Sequence, residues 1–257
     1  MADAHVNVDA SFNDVTILLQ GVLHKDISLS DILDSYTKYC HVILSIYDSD
    51  YNVAQQIAKK YENVTLVVNN VHDFKNALQE RKLYSHSDYH NNCYYQIRTT
   101  LMGFTHVTTP YVVKSRVDHF YEGLDDFIRT GLKIKKLVSS SLYVRGYSMS
   151  SYHLSDCLFM GCTDHIQKGL VYAEKNYHET WPEVFIWKSY FTVFFQQFGL
   201  ELHKLTKEQY YENMEKYVHI YSINNFPRFR IKVVREIMTS FNDRQKTTTE
   251  YLQRGCG

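Results

Sequence analysis

Glycine and proline are scarce in this sequence, 10 and 3 residues out of 257. Flexible linkers and low-complexity tracts draw on those residues, so their scarcity argues for a chain folded over most of its length. That length fits one sizeable domain, or one domain with an appendage. A Gly-rich phosphate loop is missing. Neither GxGxxG nor GxxxxGK[ST] occurs, which removes the usual signatures of dinucleotide-dependent dehydrogenases and P-loop kinases. Excess charge of one sign is missing too. Lys plus Arg equals Asp plus Glu at 28 each, so the overall field favours neither nucleic acid nor an anionic membrane surface. No apolar run approaches the ~20 residues of a membrane-spanning helix. Residues 1–14 lack the apolar core of a secretory leader. Cys40, Cys93, Cys157, Cys162 and Cys256 are odd in number and have no paired spacing. That is a poor disulfide framework and a poor zinc site. The expectation is a soluble, cytoplasmic protein with reduced thiols and no transmembrane segment.

What is present is a strand–helix alternation. Residues 15–19 form an apolar run ending at Gln20-Gly21, where glycine permits a tight turn or close approach of a ligand. Ser28 and Ser30 are candidate caps of a helix over 28–39, with Ile32, Leu33 and Tyr36 on one face. Strand 41–46 ends at Tyr47-Asp48-Ser49-Asp50, helix 53–61 follows, and strand 64–68 ends at Asn69-Asn70. This pattern predicts a parallel sheet with helices packed on it. Gln20, Asp48, Asp50, Asn69 and Asn70 would then line one edge, a candidate cleft. Asp48 and Asp50 read equally well as ordinary turn residues.

Residues 72–90 are polar and hard to assign, and read as a mobile loop with part of a helix. A helix is predicted over 91–104, capped by Asn91 or Asn92, with Asn92, Gln96 and Arg98 on its polar face. The most informative stretch comes next, Tyr111-Val-Val-Lys114-Ser-Arg116-Val-Asp118-His119. A β-branched strand delivers a guanidinium, a carboxylate and an imidazole to its carboxyl end, where open α/β sheets bind ligands. Asp118 could anchor Mg²⁺ or Mn²⁺ on a diphosphate. A salt bridge or a helix cap is the plain alternative. Further strands are predicted over 135–140 and within 156–161, and a helix capped by Thr163 over 163–172. Pro182-Glu183 opens an apolar helix over 184–198. Glu183 there is either a helix-start carboxylate or a catalytic base on a rigid element. A helix over 207–217 and a strand over 219–223 precede a basic stretch holding Arg228, Arg230 and Lys232.

Taken in order, several segments resemble the WavE-like glycosyltransferases, a group associated with lipopolysaccharide and capsule-type glycans. They are Asp14-Val-Thr-Ile-Leu-Leu-Gln20-Gly21, Asn92-Cys-Tyr-Tyr-Gln96-Ile-Arg-Thr-Thr-Leu-Met-Gly103, Val113-Lys-Ser-Arg116-Val-Asp118, His153-Leu-Ser155-Asp156-Cys-Leu-Phe-Met-Gly161 and Pro182-Glu183. The chain also resembles small glycosyltransferases that some large DNA viruses encode. The resemblance implies a single GT-A-like α/β domain with a mostly parallel central sheet flanked by helices. It would comprise a flexible N-terminus over 1–13, a catalytic domain over 14–200 and a C-terminal extension over 201–257 packed on the same domain. It further implies a nucleoside diphosphate sugar donor, UDP-sugar favoured, a glycan, glycoprotein or lipid-linked acceptor, and a divalent metal, Mn or Mg.

By that resemblance Asp118 matches the metal-binding acid of the Asp-x-Asp motif, although Arg116 stands in the place of the first Asp. His119 would assist Asp118 with the metal. Gln20, Gly21, Asp48, Asn92, Gln96, Lys114 and Arg116 would serve the donor. Glu183 is expected to act as base with Asp156 as its rival, and Tyr147 and Trp181 to stack on the acceptor. A sugar-nucleotide nucleotidyltransferase and a non-catalytic glycan-binding protein are the alternatives.

Overall fold

The computed structural model describes residues 10–85, 88–142, 144, 151–178 and 182–231. Within them, β1 (Val15–Gly21), α1 (Leu29–Tyr36), β2 (His41–Tyr47), α2 (Tyr51–Ala58) and β3 (Val64–Asn69) form the expected strand–helix repeat. Then come α3 (Val71–Glu80), α4 (Asp88–Phe104), β4 (Tyr111–Arg116), β5 (His119–Tyr121) and α5 (Leu124–Ile134). The remainder is β6 (Leu137–Ser140), β7 (Phe159–Cys162), α6 (Thr163–Lys175), α7 (Pro182–Gln196), α8 (Lys207–Tyr217), β8 (Val218–Tyr221) and β9 (Phe229–Ile231). Among these residues no helix is long and apolar enough to cross a membrane.

Seven strands form one mixed, mostly parallel sheet in the order β3-β2-β1-β4-β7-β6-β8, and β5 pairs with β9 in a separate ribbon. Only β7 runs against its neighbours, antiparallel to both β4 and β6. The chain steps outward from β1 through β2 to β3, then returns to place β4 on the other side of β1. The β1/β4 seam is therefore the point where the connection reverses direction. Gln20 and Arg116 are register partners at its carboxyl end.

Both sheet faces are covered, which is why β1 and β2 read as continuous apolar runs. Ile17 and Leu19 pack with α1 and α5 through Ile32, Leu33, Phe127 and Ile128. Leu18 points the other way, into a core with Ile97 and Phe104 of α4, Leu170 of α6 and Phe191 of α7. Residues alternate faces with a period of two. By the same count Gln20, Lys114 and Arg116 belong to the α4 face.

Several local expectations change. The polar segment after β3 holds α3, because Asn70 caps it by accepting from the His72 N–H, and Phe74 and Leu78, four residues apart, bury its apolar face. Helix α4 starts at Asp88, so neither Asn91 nor Asn92 is its cap. The Asn91 amide instead clasps the Ser85 backbone, accepting from its N–H and donating to its carbonyl. Thr163 does not cap α6. Cys162 holds that position, and the Thr163 hydroxyl donates to the Thr109 carbonyl. Phe12, in the segment expected to be flexible, packs on Tyr39 under the Arg129 guanidinium. Past residue 200, β8 lies beside β6 as the outermost strand of the main sheet.

Helices α6 and α7 pack antiparallel with almost no gap. A Cβ added at Gly169 would lie 2.8 Å from the Tyr190 Cα, a backbone atom that cannot swing aside. Gly169→Ala is expected to destabilise the fold by about 1–3 kcal/mol in chemical denaturation. Gly131→Ala, whose added methyl meets the flexible Met160 side chain, should cost less. Equal losses would contradict this account of the helix pair.

Candidate functional site at the β1/β4 seam

Strand β4 ends in Lys114, Ser115 and Arg116, and the chain then turns through Val117 to Asp118. The Val117 N–H donates to the Gln20 carbonyl at 3.1 Å, which extends the ladder one residue beyond the strand. The Arg116 guanidinium folds back on Asp118. Nε donates to Oδ1 and Nη2 to Oδ2, both at 2.7 Å, a two-pronged match of fork to carboxylate. Asp118 is only 1% exposed, whereas the Arg116 side chain keeps 26% of its surface open. The acid is sealed, and the arginine is the more open member of the pair.

A second charged pair lies below the first. Because β7 runs backwards, the segment leading into it arrives at the same edge where the parallel strands end, and it carries Asp156. The Lys114 ammonium, buried at 1% exposure, donates to the Asp156 carbonyl. The Asp156 carboxylate accepts from Gln96 Nε2 at 2.7 Å and from the Cys157 thiol at 3.5 Å. Ser139 and Ser155 hold this segment in place. The Ser155 N–H donates to the Ser139 hydroxyl, and the Cys157 N–H to that of Ser155.

Burial and charge pull these groups in opposite directions. Burial lowers the Lys114 pKa to about 8, with Asp156 working against that fall. Burial would raise the Asp156 carboxyl, but Lys114 and Arg116, with the Gln96 and Cys157 hydrogen bonds, hold it below the ordinary range. His119 is held neutral: burial first, then the adjacent Arg116, push its pKa down to about 3. Its Nδ1 lies 3.0 Å from the Tyr121 hydroxyl and its Nε2 3.7 Å from Asp118 Oδ1.

These contacts bear directly on the metal expected at Asp118 and His119. Both Asp118 oxygens already face a guanidinium, so a cation bound there would sit against a fixed positive charge. His119 has one ring nitrogen at Tyr121 and the other at Asp118. Among the described residues no three His, Cys, Asp or Glu side chains assemble as a ligand set. The geometry does not fit a resident Mn or Mg on this pair.

The other expected residues scatter in role. Gly21 ends β1 at φ +119°, a conformation that favours glycine, and a Cβ there would meet nothing nearer than Val117 Cγ2 at 4.0 Å. Asp48 is exposed at the β2 exit, and its Oδ1 accepts from the Ser49 N–H. Asp50 ties the neighbouring loop by accepting from the Leu23 N–H at 2.9 Å. Asn69 is buried and donates to the Ser45 hydroxyl and the Ile46 carbonyl. Asn92 is exposed on α4. Gln96 and Lys114 are buried and spent on Asp156, so neither faces a ligand directly. Tyr147, Trp181 and the side chain of Glu183 lie outside the described residues. The backbone of Glu183 is in the first turn of α7, and Tyr177, just past α6, packs on Phe185. Since α6 starts beside Pro110 at the lower edge and runs upward, that first turn lies on the edge that carries Asp118. Arg228 is taken up by Glu122 at 3.0 Å, Arg230 is exposed on β9, and Lys232 is outside the described residues.

Tyr47 was not expected here. It is buried at the end of β2, bonds to Thr99 and feels the Arg116 charge. Its only sequence signal was an aromatic residue at a strand end.

No protein-family model matches the chain, and neither does any curated protein. Among solved structures it is similar to the crystal structure of mouse xyloside xylosyltransferase 1 in its apo form. The identity is 6% and the TM-score 0.38, with 81% of this chain and 84% of that chain covered. No residue role is carried across from it.

The buried neutral imidazole fixes a pH response. In the unfolded chain His119 takes up a proton below about pH 6.5, whereas in the folded protein it resists until about pH 3. Acid therefore favours the unfolded state across that window, by up to about 1.4 kcal/mol per pH unit from this one group. Unfolding free energy should fall as pH drops from 6.5 toward 3. His119→Gln should flatten the slope by close to one proton, and an unchanged slope would remove the neutral-imidazole assignment.

Proposed function

We propose that this protein is a glycosyltransferase. It moves a sugar from a nucleoside diphosphate sugar, UDP-sugar favoured, to a hydroxyl of a glycan, glycoprotein or lipid-linked acceptor. The observation that carries this is the position of Arg116. In open α/β sheets ligands bind outside the carboxyl ends of the strands where the connection reverses. That place here is the β1/β4 seam, whose end holds the buried Gln20 and Gly21 and, beside them, Arg116 with 26% of its side chain exposed. With no Gly-rich turn to cradle phosphate, a diphosphate must meet a side-chain cation, and among the described residues Arg116 is a partly exposed cation at that seam. The reaction class comes from the resemblance of the ordered motifs to the WavE-like, GT-A-like group.

Transfer breaks the bond between the anomeric carbon and the diphosphate oxygen and forms one to the acceptor oxygen. The leaving diphosphate gains negative charge as this proceeds, and a guanidinium fixed in advance stabilises it. The acceptor hydroxyl gives up its proton to a carboxylate within hydrogen-bond reach. Glu183 is proposed for that role. Asp156 is the weaker choice, because its carboxylate is buried, engaged by Gln96 and Cys157, and held at low basicity. In-line attack inverts the anomeric centre. Asp48, exposed at the next strand end, is proposed to accept from a ribose or base.

Glu183→Gln should bind donor as the parent does while transferring 10²–10⁴-fold more slowly. Release of nucleoside diphosphate from UDP- and GDP-sugars, with glycan acceptors supplied, measures this. Consumption of nucleoside triphosphate with no diphosphate release would instead mark a nucleotidyltransferase. An unaffected Glu183→Gln variant alongside a slow Asp156→Asn variant would move the base to Asp156.

A further inference from the structure

We propose that the Arg116–Asp118 pair is a metal-independent receptor for the diphosphate of the donor. Arg116 takes the phosphate oxygens, and Asp118 is a positioning residue that aims the guanidinium. This rests on the nucleotide-donor reading above and departs from the cation expected at Asp118.

Three observations support it. The first is the fork itself. A guanidinium has five N–H donors in one plane. Two of them face Asp118 at 2.7 Å, which fixes the plane and leaves three N–H groups not used on Asp118. The second is layering. Asp118 is 1% exposed and the Arg116 side chain 26%, so an approaching ligand meets the positive end of the pair first. The negative end is sealed below it, where Lys114, Asp156 and the neutral His119 complete a cluster of two cations and two anions. The third is room. Gln20 is the register partner of Arg116, and the buried Gly21 after it leaves space for a Cβ, with Val117 Cγ2 at 4.0 Å.

A cation on Asp118 would have to share the carboxylate with the guanidinium and sit against its positive charge. Arg116 already supplies the charge that a metal would bring. It does so in the geometry that matches two phosphate oxygens, which a lysine does not reproduce.

Calorimetric titration with UDP, GDP and uridine, in EDTA and then with Mn²⁺, tests the proposal. UDP is expected to bind in EDTA within about threefold of its affinity with Mn²⁺. Arg116→Ala should weaken UDP by roughly 10–100-fold, the range for hydrogen bonds to charged groups, and leave uridine unchanged. Since that variant strands a buried carboxylate, Arg116→Lys is measured beside it, with thermal unfolding as the fold control. It should fold, hold Asp118 and still bind UDP several-fold more weakly, because one ammonium cannot face both partners. Asp118→Asn should weaken UDP without creating or removing any metal dependence. If UDP binds only with Mn²⁺, and Asp118→Asn abolishes that dependence, the receptor is a metal site. The inference then fails while the transferase reading stands. If the folded parent binds neither UDP nor GDP in either condition, both fall together.

Discussion

Charge taken out of water must be matched, and the β1/β4 seam is built around one such match. Lys114 and Arg116 face Asp118 and Asp156 beneath the edge of the sheet, each acid held by hydrogen bonds as well as by charge. An isolated ion at this depth would cost several kcal/mol. Removing any one partner strands another, so the group behaves as a unit. Its effect is less to add stability than to hold one guanidinium in a single orientation where the strands end.

The sheet topology makes that match possible. Three parallel strands on one side of β4 deliver their ends to one edge, and a reversed β7 brings its leading segment to the same edge. Had β7 run parallel, Asp156 would lie at the opposite edge, and Lys114 would be a buried cation without a counter-charge. Helix α4 spans the seam on that face. Gln96 reaches Asp156, Thr99 offers its carbonyl to Ser45, and Gly103 lets the helix settle onto Leu18. Fold and site are thus one construction. The helix that closes the core also supplies the amide that fixes the buried acid.

Much of the architecture was legible in the residues. The runs 15–19 and 41–46 became β1 and β2, because strands covered on both faces are continuously apolar, while 64–68 became the edge strand β3 and Tyr111 to Arg116 became β4. Helix α8 follows the capping of Thr206, whose hydroxyl accepts from the Gln209 N–H while the Gln209 side chain accepts from the Thr206 N–H. The misses were polar. Helix α3 shows few apolar residues because it buries only one narrow face. Asn91 looked like a cap because Asn favours caps, but the backbone of Ser85, six residues earlier, claimed its amide.

The sequence by itself determined which residues arrive at the strand end: a lysine, an arginine, an aspartate and a histidine within six positions, with no glycine loop to do their work. Period-two alternation also determined that Lys114 and Arg116 share a face. Only the tertiary structure decided what those side chains are for. It turned a carboxylate that could have held a cation into the partner of Arg116, made a histidine neutral by burying it, and spent Lys114 and Gln96 on Asp156. The physical reason is that a side chain's charge state and partners depend on what surrounds it, and the surroundings of Lys114 come from residue 156, itself held by residue 96, distant along the chain and adjacent only once β7 has been laid down in reverse.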